Sequence, residues 1–326
     1  MNVAVDVTAL AQTRAGTARY LHALLPRLER EVTLRRLSGF AAGRAGTLWL
    51  DLAWYPHLLP HQARGADVLH CPTYRGPVRT GGVPVVVTVH DVAVFQHPEA
   101  FPPWTRGYSR RIVPRVLRAA RRIVAVSEFT ADELESVLAV PREKIRVVPN
   151  AVDAVFSPDG PHADGDYVLA VGTLEPRKNL PRTIEAVRRL GLGLRVVGAR
   201  GWGGVEARGD GVTWIGDAGD EELARQYRGA LCLAYPSLYE GFGIPVAEAM
   251  ACGTPVVTST GGATEEVAGG AAVLVDPLDP AAIAAGIEEA VARRDELRAL
   301  GLERARAFSW DESARRTLDV YREAAG

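Results

Sequence analysis

The sequence predicts two open α/β units, each a parallel sheet covered by helices on both faces. Three observations lead there. Short apolar, β-branched runs recur along the chain, as suits strands buried on both sides. Helical patterns fall between them, so the order is β then α throughout. A chain of 326 residues, 47% hydrophobic, holds enough apolar surface for two cores, and one Pro-, Gly- and Asp-rich stretch near its middle divides it.

The strand runs, in order, are VAVDV (3–7), VVVTV (85–89), RIVAVS (122–127), KIRVVP (144–149), YVLAVG (167–172), LRVVG (194–198), LCLAYPS (231–237), PVVTS (255–259) and AVLVD (272–276). Thr130 and Glu133 in TADE form a capping box that opens a helix through about Val137, and Ser309 with Glu312 does the same for the C-terminal helix. Pro181 and Pro245 stand where a first helical residue belongs, and Gly253 closes the second of these helices. The dividing stretch is SPDGPHADGD. The expected organisation is therefore a first domain over 1–156, a linker over 157–166, a second domain over 167–308 and a terminal helix over 309–326. Ligands of open α/β sheets bind outside the carboxyl ends of the strands.

Bulk properties exclude several classes. A formal charge of −1 argues against a general nucleic-acid binder, so no nucleic-acid partner is expected and any anionic ligand must be held locally. Cys71, Cys232 and Cys252 lack metal-ligand spacing and are odd in number, which fits a reducing compartment, the cytoplasm by default. MNVAVDVTALAQTR does not read as a signal peptide, and no run of about 18 apolar residues suggests a membrane span. GxSxG, a P-loop and CxxC are all missing.

The stretch LYEGFGIPVAEAMACGTPVV (238–257) carries the strongest chemical signal. It places a turn, in which Gly241 and Gly243 permit close backbone approach, before a helix whose first amides have no partner within the helix. Such amides seat an anion. Glu240 lies on the turn and Glu248 about one helical turn in. Carboxylates repel phosphate but accept strongly from hydroxyls, so a ligand with phosphates and sugar hydroxyls, a nucleotide sugar, suits both features. A second stretch, GTLEPRKNLPRTIEAV (172–187), puts Arg177 and Lys178 just before a helix N-terminus, where cations oppose the macrodipole unless an anion sits between. Lys178 is one of only two lysines in an otherwise arginine-based chain. In the first half, His90 and Asp91 end a long apolar strand, and Gly16 and Thr17 open a helix after the first strand without a GxGxxG pattern.

Other features are weaker. Asp164-Gly165-Asp166 resembles a metal-binding DxD but lies in the expected linker, and His57 with His61 has zinc-pair spacing that Pro60 argues against, so no metal is expected. RGYSRRIVPRVLRAARR (106–122) has seven arginines and no acid. It reads first as a helix with an apolar face in the core, interrupted at Pro114, and second as a surface for an anionic membrane.

Taken in order, TVHDV, AVSEFTADEL, VVPNAVD, GTLEPRKNL, EGFGIPVAE and FSWDESA resemble the landmarks of the family-4 (GT4) glycosyltransferases, in the form of the bacterial mannosyltransferase-like branch that builds polysaccharides. The resemblance covers essentially the whole chain. It implies the GT-B fold, two Rossmann-like parallel-sheet domains facing across a cleft, with the donor held by the second domain, most of the acceptor by the first, and the last helix returning to the first. It further implies that Glu248 binds ribose hydroxyls, that Glu240 and the backbone of Gly241, Phe242, Gly243 and Ile244 hold the donor sugar, and that Arg177 and Lys178, beside Gly172, bind the diphosphate. His90 would face the donor sugar and Gly16 the phosphate or acceptor side. Ala15 precedes Gly16 where the family often has a second glycine. Transfer would proceed with retention, without metal or other cofactor, moving a hexose, first mannose from GDP-mannose, to a saccharide, lipid-linked or small glycoside acceptor. Two other readings stand beside it: a sugar-nucleotide 2-epimerase of similar fold, and a sugar- or nucleotide-binding protein without chemistry.

Overall fold

A computed structural model describes residues 1–12, 16–39 and 43–326. Contacts divide the chain into two units, Met1–Asn150 with Trp310–Gly326, and Ala151–Ser309. Each contains a six-stranded, all-parallel sheet.

The first sheet consists of β1 (Asn2–Asp6), β2 (Thr33–Leu37), β3 (Val68–Cys71), β4 (Val85–Val89), β5 (Arg122–Ala125) and β6 (Ile145–Val147), in the order β2-β1-β3-β4-β5-β6. The central β4 is buried at every position, which is why its sequence VVVTV is β-branched throughout and apolar except at Thr88. β2 was not expected, and its sequence TLRRL explains this: it is an edge strand with only Leu37 fully buried. β3 was missed because its four residues include His70.

The second sheet consists of β7 (Tyr167–Val171), β8 (Gly193–Val197), β9 (Val212–Gly216), β10 (Cys232–Tyr235), β11 (Val256–Ser259) and β12 (Val273–Val275), ordered β12-β11-β10-β7-β8-β9. This is the doubly wound Rossmann order, with the chain reversing its direction of travel between β7 and β10. Its unexpected member, β9, is again a partly exposed edge. The core beneath the sheet joins Val168, Leu194, Val196, Ala234 and Val257 to Leu180, Val187, Ile283 and Ile287 of covering helices.

Several local expectations need correction. Ser127, not Thr130, caps the helix Glu128–Leu138: its Oγ accepts from the Thr130 amide at 2.9 Å. The helices containing Pro181 and Pro245 begin one residue earlier, at Leu180 and Ile244. Residues Leu50–Leu58 form a π-helical segment that runs directly into the helix Leu59–Gln62, with Pro60 tolerated in its first turn, so the chain around His57 and His61 is helical. Pro114 lies inside the continuous helix Pro103–Ala119. That helix buries Tyr108, Val113, Val116 and Leu117 and leaves Arg110, Arg111, Arg115 and Arg118 exposed, matching the first of its two readings. The 157–166 stretch belongs to the second unit, not to a link between units. Arg228, on the helix Asp220–Gly229, donates to the carbonyls of Ser157, Asp159 and Pro161, and Ala163 is buried there.

The terminal helix Trp310–Ala325 completes the first unit. Ser313 Oγ donates to the Pro149 carbonyl at 2.7 Å, and the Tyr321 hydroxyl meets Nδ1 of buried His70 at 2.7 Å. His70 Nε2 contacts Thr88 Oγ1 at 2.8 Å, so a fully buried imidazole ties this helix to β3 and β4.

Candidate functional site

In the second unit, the reversal between β7 and β10 leaves two loops side by side at the carboxyl ends of these strands. After β7 the chain passes through Gly172 and a 3-10 turn, Pro176–Lys178, before the helix Leu180–Arg189. After β10 it passes through Pro236 to Gly243 into the helix Ile244–Ala251. Backbone and side chain join the loops: the Leu238 amide donates to the Arg177 carbonyl at 2.8 Å, and Asn179 Nδ2 donates to the Pro236 carbonyl at 2.9 Å.

This brings Arg177, Lys178 and Glu240 into one cluster. Glu240 bridges both cations, Oε2 lying 2.9 Å from Arg177 Nη1 and Oε1 lying 2.6 Å from Lys178 Nζ. The Tyr235 hydroxyl donates to Glu240 Oε1 at 2.9 Å and accepts from Lys178 at 2.5 Å. Arg177 Nη1 also donates to the Tyr239 carbonyl at 3.0 Å, and its Nη2 is held by the buried Glu175, whose Oε1 is 2.6 Å away. Two cations and two carboxylates thus neutralise each other. Burial pushes the Glu240 carboxyl up, but Lys178 and Arg177 more than reverse this and hold it at about 2. Glu175 goes the other way, raised by burial against the pull of Arg177 and Lys178. Its Oε2 is buried without a hydrogen-bond partner among the described residues.

Two glycines are required by this geometry. Gly172 has φ +139°, and a Cβ there would stand 3.1 Å from Lys178 Cε, displacing the lysine. Gly243 has φ +96°, and a Cβ would meet Thr264 Cγ2 at 2.8 Å. The neighbouring Phe242 is buried edge-on against Phe308, and Ile244 opens the helix. Glu248, the fifth residue of that helix, is only 1% exposed, and Tyr227 donates to its Oε2 at 3.0 Å. Glu175, Tyr235 and Tyr227 were not singled out from the sequence. Glu175 lay within GTLEPRKNL and Tyr235 at the end of LCLAY, so the motifs contained them without marking their chemistry.

In the first unit, His90 follows β4, and its Nε2 lies 3.0 Å from the Pro72 carbonyl. A carbonyl only accepts, so Nε2 carries the proton and, in the neutral ring, Nδ1 is the acceptor. Burial lowers its pKa, outweighing the Pro72 contact and Asp91, and Tyr20 packs edge-on at 5.1 Å. Gly16 begins the helix Gly16–Leu28, while Ala15 lies outside the described residues.

Residues 4–156 match the family model for Glycosyltransferase Family 4, and residues 155–307 match that for glycosyl transferases group 1. The chain is 32% identical over 283 residues to the O-antigen chain mannosyltransferase B of Escherichia coli, an alignment covering 78% of this chain and 74% of that protein. The chain belongs to glycosyltransferase family 4. This glycosyltransferase is also 33% identical over 287 residues to a D-inositol 3-phosphate glycosyltransferase of Nocardioides sp., covering 74% of this chain and 63% of the relative. It is 32% identical over 278 residues to the MMP alpha-(1->4)-mannosyltransferase of Mycolicibacterium hassiacum, with coverages of 74% and 66%. Among solved structures, sucrose-phosphate synthase from Thermosynechococcus elongatus matches with a TM-score of 0.82 at 21% identity, over 99% of this chain and 98% of that one. Anabaena HepE in complex with UDP and glucose matches at 0.76 and 17%, over 98% of each chain. The glycosyltransferase therefore has the GT-B fold, two Rossmann-like parallel-sheet units, with mannosyltransferases among its relatives.

Proposed function

We propose that this glycosyltransferase moves a hexose from a nucleoside-diphosphate sugar to a hydroxyl of a saccharide, lipid-linked or small glycoside acceptor, with retention of configuration and without a metal. GDP-mannose is the first donor to test, from the mannosyltransferase relatives; UDP-glucose is the second, HepE having been solved with UDP-glucose. The observation that carries the reading is the pair Arg177 and Lys178, held side by side at the β7/β10 reversal next to an amide-rich turn and helix start. Such a pair fits a diphosphate, and the amides of Gly241 to Gly243 fit its oxygens.

In this reading Arg177 and Lys178 stabilise the departing diphosphate as the bond from the anomeric carbon to its oxygen breaks. That oxygen takes the proton from the incoming hydroxyl, whose oxygen forms the new glycosidic bond on the same face. Glu240, Phe242 and Ile244 serve the donor sugar, Glu248 the ribose hydroxyls with Tyr227 fixing its carboxylate, and Gly172 leaves room for Lys178. His90 and Gly16 serve the first unit's side of the reaction.

Thermal unfolding with GDP, UDP, TDP and ADP tests the donor site, since a ligand at 100 times its dissociation constant adds about 2.7 kcal/mol to the folded state. One nucleotide should raise the midpoint clearly, and Glu248→Ala should abolish the shift. No shift with any of the four, in folded protein, would overturn the donor assignment. Incubation with nucleotide sugar alone separates the epimerase reading, because an epimerase turns over without an acceptor.

The proposed setting is the cytoplasm, with peripheral contact at an anionic membrane through the helix Pro103–Ala119. Among the described residues no helix is long and apolar enough to cross a membrane. Arg110, Arg111, Arg115 and Arg118 are exposed on the helix surface, and Trp104 at its start is 45% exposed, a basic and aromatic combination suited to anionic headgroups. Co-sedimentation should retain the protein on phosphatidylglycerol vesicles and not on phosphatidylcholine vesicles. Equal recovery from both, or retention unaltered in Arg111→Ser/Arg115→Ser, would remove this contact.

A further inference from the structure

We propose that Glu240 is a built-in competitor of the diphosphate, and that it makes the site favour an intact nucleotide sugar over the free nucleoside diphosphate released by the reaction. The inference rests on the donor reading above and adds a selectivity role to one of its residues.

The geometry is that of an anion already seated. Glu240 presents one oxygen to each cation, 2.9 Å to Arg177 and 2.6 Å to Lys178, as two oxygens of a phosphate would. Its side chain is 9% exposed, and Tyr235 donates to the same oxygen that meets Lys178. Glu175 holds Nη2 of Arg177 and the Tyr239 carbonyl shares Nη1, so the remaining Nη1 hydrogen bond, the one Glu240 accepts, is the position for which Glu240 and a phosphate compete. A diphosphate that takes the cations must push the carboxylate aside while leaving it close by, and the two anions then repel at short range with little water between them.

An attached hexose relieves that repulsion. It is bonded to the terminal phosphate, so its hydroxyls are the nearest donors to the displaced carboxylate and convert a like-charge contact into charge-assisted hydrogen bonds. The free diphosphate has no such hydroxyls there. Once the hexose has left, Glu240 again competes for Arg177 and Lys178 and favours departure of the product. Glu175 remains on Nη2 throughout and keeps the guanidinium aimed.

Glu240→Gln removes the competing charge and keeps the shape. Calorimetric titration of wild type and variant with inorganic pyrophosphate, GDP, UDP, GDP-mannose and UDP-glucose tests the proposal. The variant should bind pyrophosphate and the matching nucleoside diphosphate at least about tenfold more tightly, a change of 1.4 kcal/mol, and lose most of its preference for the nucleotide sugar. If the wild type binds a diphosphate and the variant binds it no more tightly, the proposal is wrong and the donor reading stands. If neither protein, shown to be folded, binds any of the five, the donor reading itself fails. Should Glu240→Gln not fold, Glu240→Asp supplies the same test, because its shorter side chain keeps the charge but cannot bridge both cations: tighter pyrophosphate binding supports competition, and equal or weaker binding overturns it.

Discussion

Replacing Lys178 with alanine is expected to lower turnover by roughly 100-fold or more, the usual consequence of losing one preorganised group that stabilises charge in a transition state. The lysine is well placed for that role. Its ammonium is fixed by Glu240 and by Tyr235, whose ring centroid lies 4.9 Å away, and Gly172 leaves space for its stem. Little reorganisation is then needed as charge builds on the departing diphosphate. Arg177 still pairs with Glu240 and Glu175 in the variant, so the loop keeps an anchor and the loss should appear in kcat rather than in folding. Steady-state kinetics with a thermal melt of the same preparation separates the two. Unchanged turnover in folded Lys178→Ala would remove the residue from the chemistry.

The second large effect concerns stability in acid. Burial, with a smaller push from nearby His90, lowers the His70 imidazole to about 3 from an ordinary value of 6.5. The unfolded chain therefore binds the proton first. The neutral ring's contribution is complete above about pH 6.5 and is lost as the pH falls toward 3, by about 1.4 kcal/mol per unit. Asp6, raised by burial to about 6 despite Thr8, works in the opposite direction, being easier to protonate in the folded chain. Whole-protein stability would blend the two. Comparison with His70→Gln cancels Asp6: the advantage of wild type over variant should shrink by roughly 2 kcal/mol between about pH 6.5 and pH 4.5 in urea denaturation followed by tryptophan fluorescence. A constant difference would mean that His70 titrates normally.

What the sequence made legible follows physical lines. VVVTV announces β4 because both faces are covered, whereas TLRRL and VTWIG lie at sheet edges and carry no continuous apolar signal. The Leu50–Leu58 segment defeats pattern reading because its π-helical turn fits neither a 3.6-residue nor a two-residue period, and Pro56 within it looks like a break. At the site, glycines, prolines and charges next to strand ends pointed to Arg177, Lys178 and Glu240, since local backbone chemistry leaves a local mark. The partners of these residues do not. Tyr227 reaches Glu248 and Tyr235 reaches Lys178 only through the sheet's strand order, which brings distant segments together. The sequence also showed charges of both signs suited to one ligand, but not that they would hold one another.

The return of the last helix to the first unit also bears on how the chain is made. The second unit is continuous in sequence, Ala151–Ser309, so all its strands have been synthesised before the helix Trp310–Ala325 leaves the ribosome. The first unit has to wait: His70 lacks its Tyr321 partner, and Tyr20 lacks the Trp310 ring that packs 6.0 Å from it, until the helix Trp310–Ala325 has been made. The half of the molecule that is translated first is thus the half that matures last, reversing the usual N-to-C order of domain folding.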